Sequence, residues 1–371
     1  MKKITLFVYS ILTLTACNQA PKNPHHGGKG EGQTKKADTT VHYEQEKHLA
    51  NVKQLTFGGD NAEAYFSFNS EMIVFQTNNP AWSLDCDQIF YTHLDGPTMD
   101  KVIPTRISTG LGRTTCSYFM PGDSTIVFAS THMGNGSCPL TPAKREDGKY
   151  VWPIYSDYEI FVADLSGNII DTLTNFEGYD AEATVSPKGD KIVFTSLRTG
   201  DLELFTMNLD GSDLKQVTTG LGYDGGAFFS ADGTKLVFRA SRPQSPEEQD
   251  DYKNLLKEGL VLPTNMEIYT CNVDGSDLKQ ITKLGKANWA PFFTPSGDKI
   301  IFSSNHHSEK GWQFNLFVVN LDGSGLEQIT HDKVFDAFPM FSFDGKKLIF
   351  SSNRNNGGTH NTNLFIADWV D

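Results

Sequence analysis

From about residue 50 to its end the chain is written in short apolar runs of five to seven residues, rich in Val, Ile, Phe and Thr. Each run is closed by a cluster of Gly, Pro, Asp, Asn or Ser. Runs of that length between turn residues read as β-strands and not as helices. The clearest stretch extends from Tyr179 to Thr218. It contains Asp180-Ala-Glu-Ala-Thr-Val-Ser-Pro, then Lys191-Ile-Val-Phe-Thr-Ser, then Glu203-Leu-Phe-Thr-Met-Asn-Leu, then Leu214-Lys-Gln-Val-Thr. The separators Pro187-Lys-Gly-Asp and Asp210-Gly-Ser-Asp are tight-turn sequences, so the block predicts a four-stranded antiparallel unit.

The block recurs. A phenylalanine closes the second strand of every copy, at Phe75, Phe128, Phe194, Phe238, Phe302 and Phe350. Six anchors at roughly the 40 to 50 residue period of propeller blades predict six blades, with insertions in blades two and four. The last copy ends just after its third strand, Asn363-Leu-Phe-Ile-Ala-Asp-Trp, and lacks a fourth. A matching segment stands at the front: Asn51-Val-Lys-Gln-Leu-Thr corresponds to Leu214-Lys-Gln-Val-Thr and Leu278-Lys-Gln-Ile-Thr. The expected fold is therefore all-β, a single six-bladed β-propeller of four-stranded antiparallel blades. Its ring is closed by the N-terminal strand completing the last blade, which leaves few sheet edges exposed.

The recurring Ser-Pro-x-Gly-x-x-Ile-Val-Phe and Asp-Gly-Ser-x-Leu-x-Gln-Ile-Thr patterns resemble the TolB-type, WD-like propeller repeat, over residues 50 to 371. The resemblance implies an architecture and little about activity, since such propellers serve as binding platforms, scaffolds and occasionally enzymes. TolB has an additional N-terminal domain for which this chain leaves no room, so a Tol-type role is not carried over.

Ahead of the repeats, Lys2 and Lys3 precede an apolar run from Ile4 to Ala16 that is too short to cross a bilayer as a helix. Residues 1–16 read as a secretion signal. Leu14-Thr-Ala-Cys17 resembles the lipobox of bacterial lipoproteins, which implies lipidation of Cys17. Residues 17–47 lack periodic apolar positions and read as a flexible tether, within which His25 and His26 are a solvated pair; the propeller is assigned 48–371. Asn18 after the cysteine is not the Asp of inner-membrane retention, so the expectation is an outer membrane lipoprotein facing the periplasm. The formal net charge is −13. An acidic chain with scattered Lys and Arg is no nucleic-acid binder, and membrane contact is expected through the lipid anchor alone.

Aligning the copies puts Asn61, Thr114, Asp180, Asp224, Asn288 and Asp336 at the start of the innermost strands, and Asn79, His132, Arg198, Arg242, His306 and Arg354 four residues past each anchor phenylalanine. Glu63, Cys116 and Glu182, two residues on, should share a face with the first set, because side chains alternate along a strand. Such rings can hold blades together by hydrogen bonds across blade junctions, or one sector can bind a polar ligand at the channel mouth. The candidate ligand-binding residues are Asp180, Glu182, Asp224, Arg198, Arg242, His132 and His306. The blade-two insertion, 131–157, carries Tyr150, Trp152 and Tyr155 and can lie over the mouth. The blade-four insertion predicts a short amphipathic helix over 246–259.

Cys86, Cys116 and Cys138 map to the irregular rim. One disulfide among them is expected in an oxidising compartment, with Cys138 the favoured member and Cys271 a buried free thiol. No Gly-x-Ser-x-Gly elbow is present, which removes a serine hydrolase. No catalytic residue or cofactor is assigned, although a divalent metal at the mouth stays open. Oligogalacturonate lyases resemble this architecture and hold a metal through histidines, but the histidines here are dispersed over the blades. The function expected is a noncatalytic binding or scaffolding propeller for an envelope protein, peptide or glycan. A carbohydrate-active lyase or hydrolase is the alternative.

Overall fold

The computed structural model describes residues 40–370, and the signal segment, Cys17 and the His25-His26 pair lie outside them. Six four-stranded antiparallel sheets follow one another in the order of the sequence repeats. Their innermost strands are Asp60–Phe66, Thr114–Phe119, Asp180–Val185, Asp224–Phe229, Asn288–Phe293 and Asp336–Phe341. The six anchor phenylalanines lie on the second strands and are fully buried, each packing its sheet on its neighbours. At roughly 25 cal/mol per Å², such rings are a principal source of the stability of a ring otherwise made of short strands.

The ring closes as the repeats predict. Leu49–Gln54 runs antiparallel to Asn363–Trp369 and is the outer strand of blade six. The folded body also takes in the end of the expected tether. Val41 packs on the apolar cluster between blades five and six, and Glu46 is 1% exposed. This segment escaped the sequence reading because one buried carboxylate among polar residues carries no periodic signal.

The two insertions meet. Trp152–Pro153 of blade two pairs with Leu260–Val261 of blade four, bridging blade three. The helix between them, Pro246–Lys257, starts with a capping box of Ser245 and Glu248 around Pro246 and buries Tyr252 and Leu255. Lys149–Asp251 and Arg145–Glu258 ion pairs link the insertions at their surface. Beneath them Ile154, Tyr158, Tyr179, Tyr223, Val261 and Trp289 form a second apolar core, so the insertions make one cap over this end of the propeller.

Candidate functional site: the central channel

Every innermost strand is broken at the same position. Glu63, Cys116, Glu182, Gly226, Ala290 and Phe338 all have left-handed backbones, with φ of 53, 41, 61, 59, 47 and 56°. The pairing with the second strand slips at each of these points. A bulge of this kind re-aims one residue. It also corrects the expectation that Glu182 shares a face and a role with Asp180, because strict alternation stops at the bulge.

Three of the bulge residues carry chemistry, on adjoining blades one, two and three. Glu182 accepts from Thr195 Oγ1 at 2.7 Å, Tyr223 Oη at 2.8 Å and the Gly226 amide at 2.9 Å, and forms an ion pair with Arg239. Arg239 also donates to Tyr223 Oη at 2.7 Å and lies over the rings of Tyr223 and Trp152. Burial pushes the Glu182 carboxyl up, but Arg239 and the hydroxyl donors outweigh it and hold the group below its ordinary value. The site needs two glycines: a Cβ on Gly225 would stand 2.3 Å from Glu182 Oε2, and one on Gly226 1.9 Å from Arg239 Nη1.

Glu63 is differently placed. Burial, with the nearby charge of Glu182, raises its carboxyl to about 7 against the hydrogen bond from Cys116. Its Oε2 has essentially no accessible surface and no hydrogen-bond partner. Cys116, for its part, is pushed well above the ordinary thiol range by burial and by the charges of Glu63 and Glu182, so it stays a thiol at neutral pH and is no nucleophile.

One layer further in, the channel is plugged. The rings of Tyr65 and Phe228, from opposite blades, meet at 5.5 Å, and Tyr118 stands 5.6 Å from Tyr65 and 6.4 Å from Phe228. Below the plug a cavity opens on the hairpin rim. That cavity, about 280 Å³, is lined by Phe228, Phe292, Phe293, Phe341, Phe343 and Pro295 among others. The hairpin rim, which the sequence marks only as tight turns, thus holds the apolar pocket.

The remaining candidates serve the blades. Arg198 and Arg242 form ion pairs with Asp180 and Asp224, and both aspartates are fully buried. These two pairs each join residues of one blade, while other ring members bond across junctions as expected: Asn61 Nδ2 donates to Thr362 O, Asn288 Nδ2 to Met266 O and Glu267 Oε2, and Asn315 Nδ2 to Asp336 Oδ2, with backbone bonds from Asp180 N to Tyr158 O and from Asp224 N to Leu202 O beside them. In blades two and five, His132 Nδ1 contacts Ser130 Oγ at 2.8 Å and His306 Nδ1 contacts Ser304 Oγ at 2.9 Å. Burial lowers the pKa of both histidines. The structure does not bring these seven residues together as one site: Glu182 alone faces the axis. Among the described residues no group of three or more His, Cys, Asp and Glu is arranged to hold a metal ion.

A family model described as the TolB beta propeller domain matches residues 137–249. A putative TolB from Agrobacterium tumefaciens superposes with a TM-score of 0.54 at 18% identity, over 84% of this chain and 91% of that one. TolB from Acinetobacter baumannii gives 0.53 at 18% identity, and the matched part is 81% of this chain but 64% of that one. The fold is a TolB-type β-propeller. No curated protein sequence matches the chain.

On this TolB-type frame the disulfide and Arg239 are individual features. Cys86 and Cys138 are bonded, tying the blade-two insertion to blade one. Cys116 lies in the channel wall, away from the rim loops where the sequence reading put it, and Cys271 is a buried thiol. Arg239 lies outside the set of residues four past each anchor, and its charge repeats at no equivalent position. Aligned on the anchors, its position reads Gln76, Ala129, Thr195, Arg239, Ser303 and Ser351. One large cation among small or neutral residues in a core strand was the available signal.

Proposed function

We propose that this protein is a noncatalytic binding propeller of the bacterial cell envelope, held by a lipid on Cys17, which docks a partner protein at the hairpin-rim mouth of its channel. The reading rests on one observation: a cavity of about 280 Å³ walled by phenylalanines and prolines at the end of a plugged channel. That volume suits one or two apolar side chains from a partner loop, with the surrounding hairpins as a polar rim. The family match and the likeness to TolB structures support the platform architecture. A glycan-processing role has weaker support, because the mouth histidines are engaged with Ser130 and Ser304.

A photo-crosslinking residue placed at Phe343 in the producing bacterium tests this reading, with the same residue at exposed Trp312 on the opposite rim as the control. A discrete adduct from position 343 that disappears with Phe292→Asp supports the proposal. Adducts only from position 312, or from neither, overturn it.

A further inference from the structure

The irregular rim is not uniform in charge. On the cap side, the helix Pro246–Lys257 opens with exposed Glu247, Glu248 and Asp250. On blades five and six the loops 282–287, 305–314, 331–335 and 353–362 carry exposed Lys283, Lys286, Lys310 and Lys333 against one exposed carboxylate, Glu309. Hydrogen bonds gather these loops into one surface. Lys286 Nζ donates to Ser308 O at 2.6 Å, at the base of the turn that holds Lys310, and Gln313 Nε2 donates to Asp332 O at 3.1 Å, bringing the Trp312 loop against that of Lys333. Lys283, Lys310 and Lys333 are joined to no carboxylate among the described residues. Trp312 is 55% exposed. In a chain of net charge −13 this sector is a local inversion. An exposed indole with unpaired ammonium groups around it matches a bilayer interface, where tryptophan sits at headgroup level and lysine meets anionic phosphate. The incoming chain also arrives here: Val41 O accepts from Arg354 Nη1 at 3.0 Å, and Glu46 Oε1 accepts from the His331 amide at 3.0 Å, at the junction of blades five and six.

We propose that the sector around Trp312, Lys310 and Lys333 docks on the surface of an anionic bilayer, in addition to the lipid on Cys17. It rests on the reading above in one respect, that Cys17 ties the chain to a membrane. The lipid then holds the protein at the bilayer, and the basic sector decides which way the propeller faces. Each lysine near an anionic surface adds about fivefold in affinity, and a tether makes the contact intramolecular at an effective concentration of about a millimolar. A contact too weak to hold the free chain against its own negative charge therefore forms once the chain is tethered. The acidic start of the cap helix disfavours the opposite tilt. Blades five and six meet the bilayer, and the hairpin-rim cavity faces away from it, open to a partner.

The test uses the chain from Cys17 onward, coupled through that thiol to a maleimide phospholipid in vesicles, with the buried Cys116 and Cys271 leaving Cys17 to react. Coupling supplies the anchor chemically, so the outcome does not depend on whether the bacterium lipidates Cys17. Phosphatidylglycerol with brominated acyl chains quenches an indole that reaches the interface, and the difference between the wild type and Trp312→Phe isolates the part due to Trp312. The expected result is Trp312-dependent quenching in these vesicles that is at least threefold smaller in phosphatidylcholine of the same bromination. Docking should weaken about tenfold or more in Lys310→Glu/Lys333→Glu, and likewise for the wild type in about 0.5 M sodium chloride, where screening shortens the reach of the charges. No Trp312-dependent quenching in the anionic vesicles, equal quenching in phosphatidylcholine, or quenching that the double variant retains overturns the proposal. Should the double variant fail to fold, the salt series decides, because quenching unchanged at about 0.5 M rejects an electrostatic contact.

Discussion

Arg354 and Glu46 stand 308 residues apart in the chain and meet through two hydrogen bonds of 2.9 and 3.1 Å, with neither side chain accessible. The same guanidinium reaches Asp336 at 2.9 Å and lies 3.7 Å from Asp332. One cation therefore joins the segment before the closing strand to the last blade and to the junction before it. Burial, with the charge of Asp336, raises Asp332 to about 6 despite Arg354.

Loss of that cation leaves buried carboxylates unpaired. Arg354→Met is expected to lower stability by about 3–5 kcal/mol, as removal of one partner of a buried pair does. Glu46→Gln keeps the shape and one acceptor and is expected to cost less. Urea unfolding of both single variants and the double variant measures the coupling: a double variant no worse than Arg354→Met alone shows that the two residues act together. Additive losses would place the stabilising role of Arg354 on Asp336 and Asp332 instead.

The Cys86–Cys138 bond spans 52 residues of sequence and holds the blade-two half of the cap. The chain-entropy relation gives about 4 kcal/mol for a loop of that length, an upper figure because the cap also packs on its own core. Under reducing conditions the segment between Cys138 and Trp152 should become the first site of proteolytic cleavage. Alkylation of the native, oxidised chain should leave Cys116 and Cys271 unlabelled, since both are buried. Rapid labelling of Cys116 without denaturant would mean that the channel wall opens at blade two.

The blade number and the ring closure were legible because both are written as repetition: six phenylalanines at like positions, an orphan strand ahead of the first copy and a missing fourth strand in the last. The helix was legible from Tyr252, Leu255 and Leu256 at helical spacing behind an acidic start. Local pattern carries these features without any knowledge of the third dimension.

The site was legible only in part. Glu182 is one member of a regular ring in the sequence, yet its partners Tyr223 and Arg239 come from the next blade, and the other blades carry no arginine at the Arg239 position. The bulges were hidden as well, because a left-handed residue inside a strand leaves no mark when it is Glu, Cys or Phe. The rim pocket is made of phenylalanines that look like any others in the core, and curvature of the ring decides which of them face the axis. Nothing in the two insertions indicates that Trp152–Pro153 and Leu260–Val261 pair, since two-residue strands have no periodicity.

Gly226 offers a sharper test of the channel architecture. Its backbone is left-handed, and a Cβ there would lie 1.9 Å from Arg239 Nη1. Gly226→Ala combines a backbone penalty of about 1–2 kcal/mol with displacement of a buried ion pair, so a loss of roughly 3 kcal/mol or more is expected. Gly200→Ala is the control. It is also left-handed, at φ 89°, but its Cβ would meet no atom within 4 Å, so it carries the backbone penalty alone. Equal midpoints for the two variants in urea would show that Arg239 can move aside without cost.

The raised carboxyls set the response to pH. Glu63 and Glu203 both lie at about 7 in the folded protein against an ordinary 4.5, in each case first through burial. Between those values the folded chain holds protons that the unfolded chain has released, so the stability these groups contribute is full below about 4.5 and declines as pH rises through 7. Glu182 and Asp232, the latter at about 2 through hydrogen bonds from Ser230 and Thr234, work in the opposite sense and lose their contribution as pH falls below the ordinary carboxyl range. The two trends place the carboxyl contribution to stability at its maximum in mild acid, near pH 5, and His132, His306 and His307, lowered by burial, act against the fall through the ordinary imidazole range. Unfolding free energy should fall from pH 5 to 8, with Glu63 contributing up to about 3 kcal/mol of that fall. Glu63→Gln, which cannot ionise, should flatten the slope. A wild-type slope that Glu63→Gln leaves unchanged would mean that Glu63 titrates alike in the folded and unfolded chains.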